Sequence, residues 1–201
     1  MAGDPFDPEL AAAAAGLELD AALVDELVGT DLVLPARGPT FASRHPMVCR
    51  AVYHRAAPAW RLAAHERAAG ALERRGAGVA VRARHVARCA RPGDEAAIAL
   101  LAAAAESAGA VRWYEAALRL APEQRRAGLL GPFGLALARE GRLAEARDAL
   151  AEAPAAPALV IACARLERLL RDPHGARRRL RAAYEVRPAA TVAFELAPDE
   201  P

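Results

Sequence analysis

His45 is the side chain in this sequence best placed for chemistry. It stands in Arg44-His45-Pro46, where a short extended stretch gives way to an apolar-periodic helix, and an imidazole there has backbone N–H donors beside it and can hydrogen-bond an anion. A helix-capping or interdomain role is the plainer expectation for it. The other histidines, His54, His65, His85 and His174, contain no two-His i,i+4 pair, so no metal site is expected and they are expected at the surface or half-buried. Cys49, Cys89 and Cys163 are odd in number and far apart, which suits reduced thiols packed as small apolar groups. All 27 basic side chains are arginine; with no lysine there is no Schiff-base amine and no phosphate-binding lysine. Glu106, Glu115 and Glu145 sit amid arginines, and no Ser-His-Asp or Cys-His grouping suggests a nucleophile. The residues predict no active site and no cofactor.

The elements that would carry these groups read as mainly α. Apolar residues make up 54% of the chain, much of it alanine, and aromatics only 4%, which favours closely packed helices over a strand-rich sandwich. Pro8 and Glu9 begin an Ala-rich helix that Gly16 ends, and Asp20 caps a second helix carrying Leu23, Val24, Leu27 and Val28. Leu32-Val33-Leu34 and Thr40-Phe41-Ala42 read as two short strands around Pro35 to Pro39. Two helices, a small hairpin and a further helix have the outline of a winged helix. From Pro58 onward all is helical: Leu62, His65, Ala69 and Leu72 fall on one stripe, Gly76 and Gly78 interrupt it, Arg91-Pro92-Gly93 is a stop and Asp94 caps the next helix.

Beyond that stop a pattern repeats. Ala110, Tyr114, Ala117 and Pro122 are spaced as are Ala176, Leu180, Ala183 and Pro188. Between them Leu130, Phe133, Gly134 and Leu137, then Gly141, Ala146, Leu150 and Ala153, follow the tetratricopeptide template of a large-x2-large-Gly helix followed by an Ala-x3-large helix. Gly134 and Ala146 are expected where two antiparallel helices cross closely, with Phe133, Leu137 and Leu150 around the contact. Arg139, Arg165 and Arg168 fall off the packing stripe on first helices of such pairs and are candidates for a groove that takes an acidic peptide. The run Arg177 to Arg179, with Arg181, reads as a solvated helix face.

Phe41 to Ala57, then Trp60 to Gly76, His85-Val86-Ala87-Arg88, Arg91 to Ala96 and Trp113 to Leu120 together resemble the middle of large LuxR-type regulators, signal-transduction ATPases of the STAND class. The resemblance spans residues 4 to 190. It implies a P-loop ATPase ahead of a winged helix, tetratricopeptide-like sensor repeats after it, and a C-terminal DNA-reading helix-turn-helix. It also implies that His45 matches a winged-helix histidine that contacts a bound diphosphate, which would make it a nucleotide sensor. A P-loop requires a lysine, so these residues cannot supply one, and ATP or ADP is expected only if an ATPase domain is provided elsewhere. The short acidic stretch from Thr191 to Pro201 does not match the family's DNA reader.

The expected organisation is a winged-helix-like part over 1–57, a helical connector over 58–91 and tetratricopeptide-like repeats over 92–201. The expected function is a non-catalytic regulatory or sensor segment of such a regulator, working through protein–protein or interdomain contacts; the alternative is a stand-alone tetratricopeptide-like adaptor for a partner protein. A net charge of +2 and the acidic residues Asp20, Asp25, Glu26 and Asp31 around the second helix argue against direct DNA binding. Charges interrupt every apolar run, so no membrane span is expected and a cytoplasmic location is.

Overall fold

The computed structural model describes residues 5–196, and the chain divides into two compact units, residues 1–91 and 92–201. It is mainly helical, with one small antiparallel sheet among the described residues.

In the N-terminal unit, α1 (Pro8–Ala15) starts where the Asp7 carboxylate accepts from the Glu9 and Leu10 amides, and stops at Gly16, whose φ of 77° favours a residue without Cβ. Asp20 caps α2 (Ala21–Gly29) through the Ala22 amide. β1 (Val33–Pro35) and β2 (Phe41–Ser43) pair antiparallel with Leu34 opposite Ala42, one residue later than the sequence suggests, and Phe6 extends the sheet by exchanging both backbone bonds with Phe41. α3 (Pro46–Arg55) follows with proline in its first turn, where the missing N–H costs nothing. α4 (Pro58–Arg74) and α5 (Val79–Cys89) pack along each other, and α1 lies on α4 through Leu10, Ala14, Ala68, Ala71 and Leu72. The buried stripe of α4 is Ala64, His65, Ala68, Ala71 and Leu72; the expected stripe member Leu62 is instead exposed. Small alanines let α1 and α5 approach α4 closely, which turns the buried arc away from Leu62. Neither α2 nor α3 buries a single residue.

The C-terminal unit runs α6 (Glu95–Ala108), α7 (Val111–Leu120), α8 (Glu123–Arg139), α9 (Leu143–Glu152), α10 (Pro157–Leu169), α11 (Pro173–Val186) and α12 (Ala190–Leu196), each packed on the next. Asp94 and Asp172 cap α6 and α11 through the Ala97 and Gly175 amides. Gly109, at φ 61°, turns α6 into α7 within the short stretch Ala105–Val111. A Cβ on Gly134 would lie 2.7 Å from Leu150 Cγ and 3.1 Å from the Ala146 carbonyl oxygen, so α8 and α9 meet there at backbone distance. Ala146, Leu150, Ala176, Leu180 and Tyr114 are buried, and Phe133 is half-buried with its ring 6.4 Å from that of Tyr114. The first copy of the alanine pattern is out of phase with the others. Ala110 is the residue before α7 and only half-buried, with Val111 taking the inward place, whereas Ala146 and Ala176 lie inside α9 and α11.

Candidate functional site

Two features mark the part of the N-terminal unit around α2 and α3, where side chains such as Leu23, Val24, Val48 and Tyr53 are no more than half-buried. The first is a cavity of about 690 Å³. Phe6, Leu27 of α2, Leu32 and Val33, then Val48, Val52 and Tyr53 of α3 and Trp60 of α4 line it, and the side chains of Ser43 and Cys49, hydrogen-bonded to each other, supply its few polar atoms. A second cavity of about 260 Å³, bordered by α1 and α2, shares Phe6, Leu27 and Val33 with it. Around these openings Leu27, Leu32, Val52 and Trp60 are exposed, a concentration of large apolar side chains at the surface of the kind that marks an interaction surface or a ligand pocket.

The second feature is a polar chain running inward from the same helix. The Tyr53 hydroxyl is 3.0 Å from His65 Nε2, and His65 Nδ1 is 3.2 Å from His85 Nδ1. His65 and His85 are 2% and 3% exposed, so these two are core residues and not the surface or half-buried histidines expected. Burial, the facing ring and the Arg88 charge pull His65 down to about 4. Burial, together with Arg84 and Arg88, pulls His85 down to about 4 as well. Both rings are therefore neutral near pH 7, and the Nδ1 contact is one N–H donated to one lone pair, with the direction open to either tautomer. The placement of His65 on the apolar stripe of α4 was the one signal in the sequence that it lies inside; His85 and Tyr53 carried none.

His45, exposed, occupies the N-cap position of α3, but its side chain makes no capping hydrogen bond. His54 stands edge-on to Tyr53, at 5.7 Å between rings. Cys163 is buried and Cys89 half-buried, whereas Cys49 is exposed beside the cavity, so only the first two fit the expectation of packed thiols. Among the described residues no group of three His, Cys, Asp or Glu side chains is placed to hold a metal ion. No described helix is long and apolar enough to cross a membrane.

In the C-terminal unit the groove arginines part company. Arg165 and Arg168 both hold the carboxylate of Glu195 on α12, at 2.5 and 3.0 Å, and these bonds keep that carboxyl below its ordinary range. They are engaged within the unit, so a partner peptide would have to displace Glu195. Arg139 lines a separate small opening with Glu106, Tyr114 and Leu135. The run Arg177 to Arg179 is split: Arg179 turns inward to the buried Glu167 at 2.8 Å, and only Arg177, Arg178 and Arg181 remain on the solvated face with His174. Glu115 and Glu145 share Arg142. Comparison with protein-family models, curated proteins and solved structures finds no match.

Proposed function

We propose that this chain is a non-catalytic regulatory segment of a LuxR-type STAND transcriptional regulator, acting through interdomain or protein–protein contacts. The observation that carries the proposal is the apolar surface around the cavity of about 690 Å³, built on two helices with no fully buried residue. Such a surface is stable in water only at a cost of about 25 cal/mol for each Å² left uncovered, and a neighbouring domain removes that cost. The order of two helices, a short hairpin and α3 opening on Arg44-His45-Pro46 agrees with a winged helix. The close α8–α9 crossing at Gly134 and Ala146 agrees with tetratricopeptide-like pairing in residues 92–201. In this reading His45, exposed at the head of α3, senses nucleotide held by an ATPase domain supplied from outside these residues.

The test is to read the genomic sequence upstream of Met1 for an in-frame P-loop and to express the longer chain. Amide exchange across residues 46–57 is expected to slow at least about tenfold relative to the 201-residue chain, as covered apolar surface excludes water. Absence of an in-frame P-loop, or unchanged exchange in the longer chain, overturns the regulator reading. The stand-alone adaptor then takes its place, a reading favoured by the helix-on-helix core of residues 92–201.

A further inference from the structure

The Tyr53–His65–His85 chain has no counterpart elsewhere among the described residues. It links three helices that otherwise meet unequally: α4 and α5 pack along their lengths, whereas α3, with no fully buried residue, has its main neighbour in β2.

We propose that the His65–His85 contact, with Tyr53 as its third member, is an acid-released latch holding α3 against α4 and α5. The argument is one of proton count. Two neutral rings at 3.2 Å share one N–H between their Nδ1 atoms, and His65 Nε2 either accepts from the Tyr53 hydroxyl or donates to it. One added proton leaves every bond possible but places a charge on rings that are almost fully buried. A second proton sets N–H against N–H, and the rings must part.

Among the described residues neither ring is paired with a carboxylate. α3 contributes Tyr53 and, behind it, His54; α4 contributes Arg61, 5.3 Å from the centre of the Tyr53 ring. Arg84 and Arg88 flank His85 on α5, where the Cys89 thiol donates to the His85 carbonyl oxygen. α1 presents Leu10 and Ala14 to α4, and its carboxylates Asp7 and Glu9 are bound to Arg75. Arg88 opposes proton uptake by both rings, and Arg84 opposes it at His85, until the site opens.

The sign follows. An unfolded histidine binds its proton near 6.5 and these two only near 4, so the latch is whole above 6.5 and is lost as pH falls through 4. Because Tyr53 also lines the large cavity, opening the latch reshapes that cavity. The inference stands apart from the regulator reading and does not need it.

The experiment uses the 201-residue chain. Ring ¹⁵N shifts of His65 and His85 are expected to keep neutral values at pH 5.5 and to change together as pH nears 4. Over the same range, amide exchange in residues 46–55, corrected for intrinsic rates, is expected to rise at least about tenfold more than in residues 64–72. Y53F is expected to raise neutral-pH exchange of residues 46–55 toward the acid value while leaving the ring titration in place, which a merely destabilised core would not do. Either ring titrating near 6.5, or Y53F exchange matching the wild type at both pH values, overturns the latch. The double variant H65Q/H85N, if it folds, is expected to lose the acid increment, and its retention likewise overturns the proposal.

Discussion

The N-terminal unit and the C-terminal unit use the same alanine-rich alphabet to opposite ends. From α6 to α12 every helix rests on the next, and large side chains such as Ile98, Leu101, Leu137 and Leu180 are fully enclosed. In the N-terminal unit α1, α4 and α5 form a similar small-residue contact, but α2, β1, β2 and α3 leave an apolar opening and keep Met47, Val52 and Trp60 in solvent. The C-terminal unit encloses its large apolar side chains along most of the row and leaves Leu169, Val186 and Phe194 exposed toward its end. The other holds a share of them at the surface, and polar bonds help to fasten what hydrophobic burial does not.

Substitutions with graded effects sharpen this contrast. The largest loss is expected from Leu180→Ala, which empties a site enclosed by Val160, Ala164, Ala176 and Val192 and should lower stability by about 2–5 kcal/mol in chemical denaturation. Gly134→Leu comes next, overpacking the α8–α9 crossing by about 1–3 kcal/mol, read as a lowered melting temperature; an unchanged melting temperature would mean that the two helices do not meet at backbone distance. Smallest is Val52→Ser on α3, expected to move stability by no more than about 0.5 kcal/mol while reducing binding of an apolar fluorescent dye. A Val52→Ser penalty as large as that of Leu180→Ala would erase the distinction between the units.

Much of the fold was legible in the residues because it is set locally. Asp20, Asp94 and Gly16 bound their helices as their types require, and the alanine and glycine spacing marked the α8–α9 crossing before any coordinates. What escaped is tertiary. Arg165 and Arg168 read as free groove residues because their partner, Glu195, lies 27 to 30 positions further along on another helix. Leu62 read as core because a helical stripe predicts which face is apolar but not how wide an arc its neighbours cover. The histidine pair escaped for the same reason: a separation of 20 residues says nothing until α4 and α5 bring the two Nδ1 atoms within hydrogen-bond reach.

α12 repays a closer look. Its Val192 lies in the cluster that contains Val160 of α10 and Leu180 of α11, and Glu195 is clasped by two arginines of α10. A short helix with an apolar inner side and an ionic fastening thus sits against both α10 and α11. The consequence is mechanical: α12 cannot lift from α10 without both baring Val192 and unpairing Glu195 from two arginines, so apolar and ionic contacts must let go together.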